Sequence, residues 1–388
     1  MSPISQDILD GLPHEFSVKL EDIRMTPAEF DAFCSSEPHV VRSLKGHCFE
    51  AWFDDLLTRA GYHCEEIGGD SLFDRRVNGK TLQLKTPYQR GTVDGVKVSY
   101  RMHKTHGPER FPDVLYRRED FADFLVGHRR GNDVLICPAA NMPLKKEVQK
   151  KSPWPDYIAD PTPFNWNCEW VNRYDLIGVD AKRISADESG DSLFFPAIAR
   201  AVGFNDVYIV KAILNPRNFR VWQQNIVGSV REFHFKKWLT GQGFRLQTPA
   251  EARLDYRSRN KVDLICFRSG SIEGARIQVK GLTKSLCKGN IAGVETKNSH
   301  GRPPLRLYRR TDFDYLAVVV DPGVIPSLIA TAKSVDQAAY NFVLVSARDL
   351  PLHPRSSMWA SQFPGVEFLD DKYRFDLSRA NFNDLSAL

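Results

Sequence analysis

Apolar residues recur at the spacing of an α-helix in two distant parts of the chain. The first stripe consists of Phe49, Trp52, Phe53, Leu56 and Leu57. This spacing predicts a helix over residues 39–60, which Gly61 ends. A second stripe predicts a helix over residues 227–239 that ends before Gly241. Each stripe would bury one face of its helix against other elements.

Segments with the alternation or length of a β-strand follow each predicted helix. In the first half, Asn78-Gly79 predicts a tight hairpin turn, followed by an alternating strand at 81–85. In the second half, an apolar strand at 262–267 leads through a Ser- and Gly-rich loop to a strand at 275–280. Further strands are predicted at 124–126, 134–136, 316–320 and 342–345. This order of elements predicts a mixed α/β sandwich in each half.

The two halves also share short motifs in the same order. The repeated segments are Gly46-x-x-x-Glu50 with Gly228-x-x-x-Glu232, Gln83-Leu84-Lys85 with Gln278-Val279-Lys280, and Leu115-Tyr116-Arg117-Arg118 with Leu307-Tyr308-Arg309-Arg310. Several matches in a preserved order indicate an internal duplication. We therefore expect an N-terminal domain at 1–180, a linker at 181–204 and a C-terminal domain at 205–388.

The composition is that of an ordinary globular protein, with 42% hydrophobic and 26% charged residues among 388. No apolar run approaches the ~18 residues of a membrane span, and the N-terminus lacks the pattern of a signal peptide. The seven cysteines are scattered without C-x-x-C or H-E-x-x-H, which argues against a disulfide framework and a zinc site. A cytoplasmic location is expected.

Each half carries two carboxylates and a lysine that the predicted elements would bring together. Residues two apart on a strand share a face, so Gln83 and Lys85 lie on the same side. Asp74 lies at the end of the preceding strand, and Glu50 projects from the helix beside it. The corresponding residues of the second half are Glu232, Asp263, Gln278 and Lys280.

These residue types suit a magnesium-dependent phosphodiesterase. Mg²⁺ prefers oxygen ligands and retains several waters. We expect Asp74 and Asp263 to bind the ion directly, with the two helix glutamates as supplementary ligands; Asp70 is a rival ligand in the first half. Mn²⁺ would substitute for Mg²⁺. The glutamine amides carry no charge, which predicts weak metal binding. The two lysines would stabilise charge on the phosphate that is cleaved.

The combination of a GxxxE helix, an Asp and a QxK pair resembles the PD-(D/E)xK nuclease superfamily, in the QxK variant found among restriction-type endonucleases. The resemblance covers about residues 46–124 and 228–315. It implies two tandem restriction-endonuclease-like domains, each a mixed sheet flanked by helices, with the helix Glu, the Asp and the QxK pair as site residues. The spacing from Asp to Gln differs between the halves, and neither Asp follows a Pro.

The resemblance predicts a Mg²⁺-dependent, sequence-specific DNA endonuclease of restriction type, a single-chain pseudo-dimer in which each domain cuts one strand of double-stranded DNA. The net charge of +5 is mild, but basic residues, Arg75-Arg76 among them, gather around the motifs. The expected DNA contacts are Lys104, His106, Arg117, Arg118, Lys284, Lys297, His300, Arg309 and Arg310. A cognate methyltransferase is a possible partner, and a monomer or weak homo-oligomer is expected.

Three alternatives stay open. In the first, only one domain, favouring the C-terminal one, is catalytic, and the other is a DNA-binding relic. In the second, the chain binds nucleic acid without cutting it. In the third, it cuts RNA or modified DNA. The repeated Tyr-Arg-Arg segments fit packing plus surface charge as well as phosphate binding.

Overall fold

The computed structural model describes most of the chain, which divides into two compact units. Unit one is Met1–Gln223 and unit two is Gln224–Leu388. The described residues are 13–67, 73–87, 97–102, 115–128, 133–148, 154–165, 167–185, 192–255, 261–282, 291–295, 308, 311–322, 339–349, 372–376, 382–386 and 388. Within these ranges, no helix combines the length and the apolar character needed to cross a membrane.

Unit one combines helices with seven strands in its described part. The helices are α1 His14–Asp22, α2 Pro27–Ser36, α3 Pro38–Arg59, α4 Lys145–Val148, α5 Pro196–Val202 and α6 Asp206–Leu214. The strands are β1 Cys64–Glu66, β2 Arg75–Val77, β3 Lys80–Lys85, β4 Lys97–Tyr100, β5 Phe124–His128, β6 Val134–Pro138 and β7 Thr162–Asn165. The predicted helix and hairpin are confirmed. Asn78 and Gly79 have φ angles of +47° and +78°, as a tight hairpin turn requires.

Unit two contains most of the helix α7 Pro216–Gly241, which begins earlier than the sequence predicts. Its strands are β8 Arg245–Gln247, β9 Leu264–Phe267, β10 Ala275–Gly281, β11 Ile291–Glu295, β12 Tyr315–Val320, β13 Asn341–Ser346 and β14 Lys372–Asp376. The strand predicted at 262–267 starts two residues later, so that Asp263 precedes β9 instead of lying within it.

The described parts of the two units have the same sheet topology. In unit one the strand order is β1-β2-β3-β5-β6, and in unit two it is β8-β9-β10-β12-β13. The pairs β3–β5 and β10–β12 are parallel, and the other neighbours are antiparallel. A two-stranded antiparallel sheet accompanies each, β4 with β7 and β11 with β14. The mixed α/β class is therefore confirmed, and the sequence repeat is also a repeat of strand order and pairing.

A carboxylate ties the parallel strands together at the same place in each unit. In unit one, Asp123 accepts a hydrogen bond from the backbone N–H of Thr81 at 2.8 Å. In unit two, Asp314 accepts one from the backbone N–H of Arg276, also at 2.8 Å. Both contacts lie at the start of the central strand, so they fix where β3 and β10 begin relative to their parallel neighbours.

The two faces of β10, the central strand of unit two, carry different kinds of side chain. Ile277 and Val279 belong to one apolar cluster with Phe235 of α7. Because side chains alternate along a strand, Gln278 and Lys280 lie on the opposite face. The predicted alternation is therefore confirmed in β10, and it separates the packing residues from the polar ones.

The segment predicted as a linker is assigned to unit one, and its described residues are 181–185 and 192–204. Helix α5 in this segment contacts α2. The carboxylate of Asp31, which is 7% exposed, accepts hydrogen bonds from the backbone N–H groups of Ala197 at 3.0 Å and Ile198 at 2.7 Å. These bonds satisfy N–H groups of the first turn of α5 that have no partner within the helix. The boundary between the units falls after Gln223 instead.

Replacing Asp31 with Ala is expected to lower the free energy of unfolding by about 2 kcal/mol, because a buried and a half-buried N–H group lose their acceptor. Asp22→Ala, at an exposed helical position, should change it by less than about 0.5 kcal/mol. Urea denaturation of both variants measures the difference. Equal stability of the two variants would contradict a role for Asp31 in attaching α5.

Candidate functional site

In unit two, Asp263 is held against the neighbouring strand. Its backbone N–H donates to the carbonyl of Ile277 at 2.9 Å. Its Oδ2 accepts from the amide Nε2 of Gln278 at 2.5 Å and from the backbone N–H of Val279 at 2.7 Å. Two donors from β10 therefore fix the carboxylate, and the Asp and Gln that the sequence analysis paired are in direct contact.

Two more of the expected residues lie near this carboxylate. Burial and then the charge of Glu232 raise the pKa of Asp263 to about 7, while Lys280 and Lys236 act in the opposite direction. Glu232 lies on α7, where its carboxylate contacts the ammonium of Lys236 at 2.5 Å. The structure thus brings together the four residues expected in unit two: Glu232, Asp263, Gln278 and Lys280.

One buried oxygen of this group has no hydrogen-bond partner among the described residues. Gln278 is 4% exposed, its Nε2 contacts Asp263, and its Oε1 accepts nothing. A buried amide oxygen without a donor is unfavourable. A cation between this oxygen and the two carboxylates would satisfy it.

The ring of Tyr308 lies beneath the side chain of Lys280 in unit two. It is 2% exposed, and the ammonium nitrogen of Lys280 lies 5.5 Å from its ring centroid. Burial, and then the charge of Asp263, raise the pKa of its hydroxyl. Phe313 meets the ring edge-on at 5.3 Å. The tyrosine therefore belongs to the site, which the sequence analysis did not predict.

Unit one repeats the central arrangement. The backbone N–H of Asp74 donates to the carbonyl of Leu82 at 2.9 Å. Its Oδ2 accepts from the amide Nε2 of Gln83 and from the backbone N–H of Leu84, the latter at 2.8 Å. The residue-by-residue correspondence with unit two shows that the unequal Asp-to-Gln spacing is absorbed in the hairpin loop.

The helix glutamate of unit one also lies near the strand carboxylate. Burial and then the charge of Asp74 raise the pKa of Glu50 to about 7, whereas Arg75 and Lys85 lower it. His47 lies one turn earlier on α3, with its Nδ1 3.8 Å from the carboxylate of Glu50. Burial lowers the pKa of this histidine. The expected residues of unit one are therefore close together as well.

The sequence places Arg75 in a basic cluster expected to contact phosphate, and the structure corrects that expectation. Its side chain is 3% exposed and donates to both carboxylate oxygens of Asp54, at 2.8 and 2.9 Å. A longer contact of 3.5 Å reaches Glu50. The guanidinium is occupied by carboxylates of α3 and is unavailable to DNA.

Tyr116 takes the place of Tyr308 in unit one. It is 4% exposed and meets Phe121 edge-on at 5.1 Å. Burial and then the charge of Asp74 raise the pKa of its hydroxyl to about 12. The signal for both tyrosines was present in the sequence, since the repeated Leu-Tyr-Arg-Arg segment contains them at the same place.

Two of the residues expected to contact DNA, Arg117 and Arg118, lie within the described part of the chain. Arg117 has 54% of its side chain exposed, with its guanidinium 5.1 Å from the ring centroid of Tyr157. Arg118 donates to the backbone carbonyl of Met142, which gives it a structural role. The other expected contacts and the rival ligand lie outside the described residues: Lys104, His106, Lys284, Lys297, His300, Arg309, Arg310 and Asp70.

In the part of the chain that the structure describes, no group of three or more His, Cys, Asp or Glu side chains could hold a metal. The oxygen donors that each unit offers are two carboxylates and the amide oxygen of a glutamine. Mg²⁺ is often held by one or two carboxylates, with water completing the coordination. The residues present therefore fit this ion.

Comparisons of the chain with protein-family models, with curated proteins and with solved structures found no match. The nuclease superfamily is therefore a resemblance in motif, and the function is inferred from the geometry of the two units.

Proposed function

We propose that the chain is a Mg²⁺-dependent DNA endonuclease of restriction type, in which each unit cuts one strand of a duplex. The supporting observation is the repetition of one arrangement. In both units an Asp before the second strand of the sheet accepts from a Gln and from the next backbone N–H of the central strand. In both units the negative charges of the helix Glu and of the Asp interact with each other, and the charge of the lysine opposes their effect on the pKa.

The residues of unit two have distinct roles in this proposal. Asp263, Glu232 and the Oε1 of Gln278 would hold the ion, which when bound supplies positive charge to the phosphate. The N–H of Val279 keeps the carboxylate of Asp263 in one orientation. Lys280 would stabilise negative charge that develops on the phosphoryl oxygens. In unit one, Glu50, Asp74, Gln83 and Lys85 would act in the same way.

Two sites in one chain suit a substrate with two strands. Many nucleases that cut duplexes pair two identical subunits, so that each site meets one strand. A duplicated chain supplies both sites without dimerisation, and its halves are free to diverge toward an asymmetric target. A restriction-type enzyme would act alongside a cognate methyltransferase.

The test is cleavage of a phage genome, then of a plasmid carrying the site found, with Mg²⁺ and the variants Lys85→Ala, Lys280→Ala and both together. We expect linear plasmid from the unmodified chain, nicked circles from each single variant, and a loss of at least about 10²-fold in cutting by the double variant. Lys80→Ala, at an exposed position on the same strand as Lys85, is the matched control and should cut normally.

The outcomes separate this proposal from its rivals. Linearisation by both single variants would contradict one site per strand. Nicked circles from the unmodified chain would mean that only one unit cuts. A gel shift in EDTA without any cutting in Mg²⁺ or Mn²⁺ would indicate a nucleic-acid-binding protein instead.

A further inference from the structure

The two sites differ in charge although their strand pairing matches. Around the site of unit one lie four carboxylates and two cations: Glu50, Asp54, Glu66 and Asp74 with Arg75 and Lys85. The equivalent positions of unit two hold two carboxylates, two cations and two uncharged residues: Glu232, Asp263, Lys236, Lys280, Thr248 and Leu264. With all of these groups ionised, the formal charge is −2 in unit one and zero in unit two.

The equivalences follow from the helix and strand register. Asp54 and Lys236 each lie one helical turn after the helix Glu of their unit. Arg75 and Leu264 each follow the site Asp directly. For the third pair, Glu66 faces Arg75 across β1 and β2. In unit two, Gln247 faces Ile265, so the following residue, Thr248, takes the place of Glu66.

The basic side chains Arg75 in unit one and Lys236 in unit two pair with different carboxylates. Arg75 forms a bidentate pair with Asp54, so its charge is matched by a carboxylate that the proposed ion site does not need. Lys236 instead contacts Glu232 itself, one of the proposed ligands. A cation entering unit two must compete with this ammonium group. In unit one the charge of Asp54 is cancelled by Arg75, and the further carboxylate of Glu66 adds attraction.

We propose that unit one binds the divalent cation more tightly than unit two, and that Lys236 is the main residue that weakens binding in unit two. This inference rests on the proposed function, since it assumes that both units are ion sites. A difference of two charges within several ångströms of a divalent ion gives an affinity difference of at least about tenfold, even with an effective dielectric constant typical of partly exposed sites.

Binding of Mn²⁺ to metal-free protein, followed by the electron paramagnetic resonance signal of the free ion, tests this without any cleavage. Asp263→Asn leaves only the site of unit one, and Asp74→Asn leaves only that of unit two. We expect the first variant to bind Mn²⁺ at least about tenfold more tightly than the second. Equal affinities, or the reverse order, would overturn the inference.

A second pair of variants isolates Lys236. Added to Asp74→Asn, the change Lys236→Gln should tighten Mn²⁺ binding by about three- to tenfold. Lys237→Gln removes the same charge from the exposed neighbouring position and should change the affinity by less than about twofold. Identical effects of the two changes would overturn the role of Lys236. If neither single-site protein binds Mn²⁺, the proposed ion sites themselves are wrong, an outcome distinct from equal binding.

Discussion

Replacing Asp263 with Asn is expected to reduce Mg²⁺-dependent cutting by unit two by about 10³-fold or more. The substitution removes the charge that would hold the ion, but it retains an oxygen that can accept from the backbone N–H of Val279. The fold should therefore survive. Because burial raises the pKa of this carboxyl to about 7, its removal should also stabilise metal-free protein above that pH. Lost activity with gained stability is typical of residues selected for function.

The measurement is the rate of plasmid nicking in the Lys85→Ala background, where only unit two is expected to cut. Asp349→Asn, which changes an exposed carboxylate of the same unit, is the control and should nick at the unmodified rate. A nicking rate within tenfold of the parent, in an Asp263→Asn protein that unfolds no more easily, would show that this carboxylate is not a ligand of the proposed ion.

Local chemistry explains why the sequence predicts the elements that carry the site. The Asn78-Gly79 turn needs positive φ at both positions, and few other pairs accept that conformation at low cost. The alternation along β10 fixes which residues share a face, whatever the rest of the fold does. Because the chain is duplicated, each motif occurs twice, and the second copy supports the prediction made from the first. These signals depend on neighbours within a few residues, so sequence reasoning could reach them.

The surroundings of the site depend on contacts between residues far apart in the chain. Arg75 is buried because Asp54 lies opposite it on α3, 21 residues earlier. Tyr308 lies beneath Lys280 because β10 pairs in parallel with β12, a crossover that no local pattern specifies. In a sequence, two adjacent arginines such as Arg75-Arg76 indicate an exposed basic patch more often than a buried ion pair. The charges that tune each site were therefore unpredictable, although the central residues were predictable.

Comparison of the two units separates residues that serve the site from those that serve packing. The Asp, Gln, Lys, helix Glu and Tyr are the same in both. Arg75 and Asp54 change together, to Leu264 and Lys236. Leu264 is fully buried in the apolar cluster beneath α7, so unit two fills with a hydrocarbon the space that unit one fills with an ion pair. Such an exchange is tolerated because a buried pair and an apolar residue are often similar in stability.

A fall in stability with rising pH is the second large effect expected of metal-free protein. Burial and a neighbouring carboxylate raise the pKa of both Glu50 and Asp263 to about 7 in the folded state. In the unfolded chain the same groups ionise near pH ~4. Between these values the folded state holds more protons than the unfolded state, so stability decreases as pH rises through this window. Above about pH 7 the loss is complete.

Each carboxylate should contribute about 2 kcal/mol to this loss, which allows for partial exposure to solvent. His47 opposes the trend, since burial lowers its pKa and its contribution improves as pH rises through the range where a free histidine loses its proton. The comparison is therefore made against a variant with the same histidine, Glu50→Gln combined with Asp263→Asn. This variant should show a pH dependence about 4 kcal/mol smaller than the unmodified chain.

Urea denaturation between about pH 4 and pH 8, with and without Mg²⁺, measures the effect. In EDTA the unmodified chain should lose stability relative to the double variant as the pH rises. Saturating Mg²⁺ should restore it at the upper end only, because the ion binds the ionised carboxylates and stabilises the folded state by mass action. If the free energy of unfolding of the two proteins in EDTA changes with pH in the same way, the pKa values of Glu50 and Asp263 are not raised in the folded state. A Mg²⁺ effect of equal size in both proteins would place the ion elsewhere.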